Sequence, residues 1–211
     1  MKIDLFKPRE KNADEPSSIK LIFTLGLAGL ISGFAIVGIY EATLPTITAY
    51  KAKVLREAVF KVLPGVTNIQ KMHYFDGHLQ ATTSSTSNEN TIYAGYDDNK
   101  VLVGYAITGA GPGFQDTIRI LYGYKPTTKI IVGMEVLESR ETPGLGDKIY
   151  KDADFQENFK ALAVYPTIVM VKKGSKSAPN EVDAISGATI SSKAIVKIIN
   201  EANEKWLHRL D

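Results

Sequence analysis

The sequence predicts an α+β protein: one N-terminal transmembrane helix, then a single, mostly antiparallel domain closed by a C-terminal helix. Three observations predict it. Leu21 to Tyr40 contains no charged residue and is long enough to cross a bilayer core as a helix. Short β-branched and aromatic segments follow between turn signals, and no long helical pattern separates the early ones. That favours antiparallel pairing over a doubly wound sheet. Finally, Ala194, Ile195, Ile198, Ile199, Ala202 and Trp206 recur at three- and four-residue spacing, the pattern of an amphipathic helix.

Composition narrows the classes. A chain of 211 residues fits one globular domain with an appendage. Its formal net charge of +2, without a long basic run, gives no reason to expect a nucleic-acid partner. Cysteine is absent, which excludes disulfides, thiolate-ligated iron–sulfur clusters and a cysteine nucleophile within the chain. The histidines are His73, His78 and His208. The first two do not share a helical face and read as surface residues, so no metal site is expected.

The expected organisation is a cytoplasmic tail over 1–20, a membrane helix over 21–44 and an extracytoplasmic globular domain over 45–211. Pro8 and Pro16 punctuate the charged tail. Lys2, Lys7, Arg9, Lys11 and Lys20 precede the span, and no basic residue follows it until Lys51. The positive-inside rule therefore puts the N-terminus in the cytoplasm and the domain on the outer side of the cell membrane. A cleavable signal peptide is the competing reading, but the apolar run exceeds the usual length and lacks a clear cleavage site. Gly26, Gly29, Ser32, Gly33 and Gly38 leave two readings of the span: close packing on other membrane helices, or a plain anchor in lipid.

Pro45 marks an exit or kink. Ile47, Tyr50, Val54, Ala58 and Val62 form the stripe of a second helix, ended by Pro64-Gly65. Its Lys51, Lys53, Arg56 and Lys61 are either a solvated face or a face near lipid headgroups. Met72–Leu79 reads as a hairpin about Asp76-Gly77, and 81–90 as a polar loop. Strands are expected at 91–96, 100–108, 117–124, 129–137 and 167–172, with Asp97-Asp98-Asn99 turning between the first two. Gly109 to Asp116 reads as a glycine-rich loop. A dinucleotide fingerprint there would need a helix next, and Thr117-Ile-Arg-Ile-Leu-Tyr122 reads as a strand. Glu141-Thr-Pro-Gly-Leu-Gly146 is a tight-turn signal. Lys151–Leu162 carries Phe155, Phe159 and Leu162 at helical spacing, ended by Tyr165-Pro166, and 172–180 is a basic, polar loop.

The run Asp183 to Lys193 precedes the last amphipathic pattern and so lies at a helix N-terminus. Unpaired backbone N–H groups and the positive end of the dipole favour a phosphate there. Ser186, Thr189, Ser191 and Ser192 add hydroxyls, and Gly187 permits close backbone approach. From these residues alone, an ordinary Ser/Thr-capped helix and an anion site are both open.

Asp183-x-x-Ser186-Gly187-Ala188-Thr189 resembles the flavinylation motif of a known family: the FMN-binding subunits of the Rnf complex and of the sodium-pumping NADH:quinone oxidoreductase. The resemblance implies FMN joined through its phosphate to Thr189 as a phosphoester, placed there by a flavin transferase, with Asp183 orienting the hydroxyl or being read by the transferase. Residues 45–211 would then be an FMN-binding domain. Glu141 to Gly146, followed by Asp147-Lys148, resembles the family's second signature. It implies that Glu141, Thr142, Gly144 and Leu145 touch the isoalloxazine ring, with Leu145 shielding one face. Gly109–Asp116 is similar to a loop that walls the flavin site. The implied function is electron transfer by covalent FMN within a membrane-bound, ion-translocating complex of the Rnf type, a ferredoxin:NAD⁺ oxidoreductase. The partners would be other integral membrane subunits, the transferase and the bilayer. The alternatives are the equivalent subunit of the quinone-reducing sodium pump, and a free-standing anchored flavoprotein serving an extracellular acceptor. A flavin-free surface module is a further class. No catalytic residue is expected in this chain, which has no clear motif for NAD or ferredoxin.

Overall fold

A computed structural model describes residues 17–83 and 90–210. The expected tail, apart from its last residues, and most of the expected 81–90 loop lie outside the described residues. The chain divides into two compact units, Met1–Tyr50 and Lys51–Asp211.

The first unit contributes most of helix α1, Ser18–Val62. Its side chains up to Tyr50 are almost all exposed, including Leu25, Phe34 and Ile36. A window of this helix has a mean hydropathy of 2.2, enough in length and composition to cross a membrane. Pro45 lies inside α1 and does not end it, contrary to the expectation of two helices. Proline removes one helical donor, the one that would pair with Glu41 O, and in the next turn Thr48 Oγ1 donates to Leu44 O at 3.0 Å and Pro45 O at 2.9 Å.

The second unit is built on a seven-stranded antiparallel sheet. Its strands are β1 Asn68–Phe75, β2 His78–Ala81, β3 Thr91–Tyr96, β4 Leu102–Pro112, β5 Thr117–Lys125, β6 Ile130–Glu138 and β7 Leu162–Ala163. They lie in the order β2-β1-β3-β4-β5-β6-β7. Asp76 and Gly77, both at positive φ, close the β1–β2 hairpin as expected. Between β6 and β7 lie two short helices, α2 Lys148–Lys151 and α3 Ala153–Glu157. The expected single helix over 151–162 is cut at both ends: Asp152 leaves the helical conformation and caps α3, accepting from Phe155 N at 3.2 Å, and α3 stops at Glu157. Phe155, Phe159 and Leu162 are nonetheless all core residues. The exception to antiparallel pairing is β8 Val169–Val171 beside β9 Glu181–Asp183, joined by the predicted 172–180 loop. Helix α4, Thr189–Leu210, ends the chain.

Alternation along the central strands explains the layers. Ile118, Ile120 and Tyr122 of β5 and Ile107 of β4 face α4, packing with Ile195, Ile198, Ile199 and Trp206. Leu121 and Ala106 point to the opposite face, onto Ala58, Val59, Val62 and Leu63 at the end of α1. Lys51–Glu138 and Lys61–Glu135 pairs, both 2.8 Å, tie that end of α1 to β6. As half-exposed pairs they contribute on the order of 1 kcal/mol or less each.

Glycines set how closely the layers approach. The 109–112 stretch is not a loop: β4 runs through it and pairs with β5 as far as Pro112–Thr117. An added Cβ at Gly109 or Gly111 would lie 2.7 or 2.8 Å from Ile198 side-chain atoms. These glycines therefore act by omission of a side chain, letting α4 settle onto the strand. The periodicity of a strand is invisible where its inward positions are glycine, which is why the sequence reads as a turn there.

Candidate functional site

Three separated segments meet at the start of α4. The first is the turn between β4 and β5, residues 113–116. The second is the 141–147 loop between β6 and α2. The third is the turn and first helical residues over 185–192.

The third segment is organised by Gly187 and Ser192. Gly187 has φ +82°, and Ala188 N donates to Ile185 O at 3.0 Å, so residues 185–188 form a turn that needs positive φ at its third position. Ser192 Oγ accepts from Ile185 N at 3.1 Å and donates to Ala188 O at 2.9 Å, stapling the turn to the helix. Ser191 and Ser192 are both buried. Their hydroxyls are therefore internal braces, not donors to the surface as the sequence suggests. Ser186, Gly187 and Thr189 are exposed, while Ala188 is buried beneath them. Thr189 opens α4, and its hydroxyl has no hydrogen-bond partner among the described residues. The N–H groups of Thr189, Ile190 and Ser191 lie in the first turn, where a helix supplies no internal acceptor and carries its positive dipole end. Such N–H groups favour an anion of phosphate size, and Thr189 stands exposed in the same turn.

Among the described residues Asp183 makes no hydrogen bond to the Thr189 hydroxyl. Its Oδ1 accepts from Ser175 N and Lys176 N, each at 3.1 Å, and fixes the 172–180 loop. It also lines a cleft of ≈ 280 Å³ with Asp152, Phe155, Asn158, Lys173 and Ile185. Asn158 of this cleft is committed internally, its Oδ1 accepting from Asp183 N at 3.1 Å.

The second segment supplies Glu141, Thr142, Gly144 and Leu145. Glu141 is buried. Its Oε1 accepts from Phe114 N at 2.9 Å and Gln115 N at 3.0 Å, and Ser191 Oγ donates to its Oε2. Thr142 Oγ1 donates to Gln115 Oε1 at 3.2 Å, a second link to the 113–116 turn. Gly144 has φ +78°, the conformation that its Pro-Gly turn requires. Leu145 is 50% exposed, and one of its methyls lies 3.9 Å from where a Cβ on Gly187 would be. The two signatures, some forty residues apart in sequence, are thus neighbours in space. Asp147, nearly buried, holds the base of the loop through Lys151 Nζ at 2.6 Å. That hydrogen bond and charge hold its carboxyl below the ordinary value of 3.8, against an opposing effect of burial.

Two exposed apolar residues at the site escape sequence reasoning. Phe114 is 65% exposed on the first segment and Ile190 is 57% exposed beside Thr189. Each of the three segments therefore presents one large apolar side chain to solvent. Leu145 is marked by its motif. Phe114 lies in a glycine-rich stretch and Ile190 in a helical pattern, and only the tertiary arrangement groups them. Among the described residues no cluster of His, Asp or Glu could hold a metal ion.

Residues 113–204 match the model of the FMN-binding domain family, a span that opens at the first segment and runs into α4. The chain is 29% identical over 195 residues to the G subunit of the proton-translocating ferredoxin:NAD(+) oxidoreductase complex of Clostridium ljungdahlii, covering 92% of this chain and 95% of that protein. It is 30% identical over 189 residues to the G subunit of the ion-translocating oxidoreductase complex of Haemophilus influenzae, covering 82% of each. The crystal structure of NqrC from Shewanella oneidensis superposes with a TM-score of 0.61 at 18% identity, over 77% of this chain and 98% of that one. At that identity the likeness shows the shared α+β fold.

Proposed function

The chain belongs to the family of G subunits of ion-translocating oxidoreductase complexes, and from that premise we propose that it carries FMN as a phosphoester on Thr189 and serves as an electron-transfer subunit. It is a membrane-anchored subunit of an oxidoreductase, it takes FMN, and its partners are the other subunits of the complex. The reading that the complex is of the ferredoxin:NAD⁺ type rests on the names of relatives such as the Clostridium protein.

One observation carries the attachment: Thr189 presents an unpartnered, exposed hydroxyl at the first position of α4. The residues around it fit the group. Helix-start N–H groups suit a phosphate, and the apolar side chains of Leu145, Phe114 and Ile190 suit an aromatic ring system. We assign Thr142, Gly144 and Leu145 of the second signature to that ring, and Ser186, Gly187 and Ala188 to the turn that presents Thr189. Attachment requires Thr189 Oγ to form a bond to phosphorus while its proton leaves. The donor is an activated flavin nucleotide whose pyrophosphate bond breaks, releasing a nucleoside monophosphate. A flavin transferase supplies that step. Bound FMN supplies one- and two-electron chemistry. The chain supplies position, a phosphate seat and exclusion of water from one face. Positive charges before the span favour a cytoplasmic N-terminus and an FMN domain on the outer side, where a covalent bond prevents loss of the cofactor.

The test is the intact mass of the chain, co-produced with its flavin transferase. An added FMN mass and a fluorescent band under denaturing conditions are expected, and Thr189→Ala abolishes both. A band that survives the substitution moves the attachment elsewhere.

A further inference from the structure

We infer that Glu141 is a positioning residue of the flavin site, acting without touching the flavin: it ties the 113–116 turn, its own loop and the start of α4 into one unit, and so places Thr189. The inference rests on the reading of Thr189 as the attachment point.

Both carboxylate oxygens are taken. Oε1 receives two backbone N–H groups, from Phe114 and Gln115, and Oε2 receives the Ser191 hydroxyl. Glu141 is 5% exposed, so these bonds replace water, and its carboxylate is turned away from solvent. The donors lie far off in sequence, and they belong to two different walls of the site. The slot is also cut to the carboxylate. An added Cβ at Gly113 would lie 2.5 Å from Oε1, and one at Gly146 would lie 2.6 Å from Oε2 and 2.9 Å from Ser191 Oγ. Those two glycines are therefore needed for room around Glu141, since neither has a positive φ.

The consequence for the cofactor is geometric. A tether fixes the phosphate end at Thr189. Where the ring lies then depends on how the Phe114 and Leu145 segments sit relative to α4. Glu141 is the side chain that links all three, and Ser191, in the same helical turn as Thr189, is its contact on the helix. Removing the carboxylate leaves three donors without their acceptor, the Ser191 hydroxyl buried and the Phe114 and Gln115 N–H groups part-buried, which is more disruptive than removing any one donor.

The experiment uses the full chain in detergent, made with and without the transferase, as wild type, Glu141→Ala, Glu141→Gln and Ser191→Ala. In the unmodified chain, hydrogen exchange in Glu141→Ala should rise about tenfold or more at both 113–117 and 188–193. Ser191→Ala should raise it only at 188–193. Glu141→Gln, which keeps an acceptor for Phe114 and Gln115, should stay near wild type at 113–117. In the modified chain, flavin fluorescence anisotropy should fall in Glu141→Ala and, less, in Ser191→Ala, whose fold is the safer to retain. Unchanged exchange in Glu141→Ala overturns the tie. Raised exchange with wild-type flavin loading and anisotropy in both variants overturns the positioning role. A wild-type chain that takes no flavin overturns the attachment reading, and the role with it, whatever the exchange shows.

Discussion

Asp147 closes the base of the loop that carries Leu145, and its charge state sets when that base holds. Its carboxyl is depressed by the Lys151 hydrogen bond and charge. A carboxyl lowered in the folded state adds stability above its unfolded value, and the contribution is lost as pH falls through the folded value. Thermal melts should therefore separate wild type from Asp147→Asn at neutral pH. The difference should close below about pH 4, the ordinary aspartate range. A difference that is constant down to about pH 2 would show that the ion pair is not responsible. At this scale the motifs pick out Thr189, Gly187 and Leu145, which the fold leaves exposed, with Gly187 at positive φ. The sequence misassigns the hydroxyls of Ser191 and Ser192, which face inward. Which side of a first helical turn is buried depends on Glu141 and Ile185, and no spacing rule reports that.

Among the elements, the two helices that cover the sheet dock by different means. Helix α4 brings an apolar stripe that the sequence shows plainly, and its approach is controlled by Gly109 and Gly111. The end of α1 is seated more tightly, since an added Cβ at Gly123 would lie 2.0 Å from Val62 O. Backbone on backbone cannot yield by rotating a side chain. Gly123→Ala should therefore cost about 1–3 kcal/mol, seen as a fall of several degrees in Tm. A melt unchanged from wild type would mean that this packing is loose. Strands whose inward positions are branched or aromatic, such as β3 and β5, are legible to within a residue or so. β4 extends beyond its expected end because glycine carries no pattern, and the helical spacing of Phe155 and Phe159 hides the end of α3 at Glu157 between them.

The molecule as a whole joins a unit with exposed apolar side chains to one with a closed core. Among the described residues nothing buries Leu25 or Phe34, whereas the core around Ile120 and Trp206 lies wholly in 51–210. A chain beginning at Lys51 should remain in the soluble fraction with its two-layer core and a melting transition intact, while the full chain should require detergent. Aggregation of the shortened chain would indicate that residues before Lys51 are needed to complete the fold. The membrane span is readable because lack of charge from Leu21 to Tyr40 has few other meanings. The pairing of β8 with β9 is not, since both are too short to show alternation.

Phe114, Leu145 and Ile190 stand open to water on three tied segments. Were FMN joined to Thr189 as proposed, its ring would cover apolar surface that the bare chain leaves in water. On that proposal maturation would be a concealment as much as an activation, and chain made without the transferase would be the stickier form, not merely an idle one.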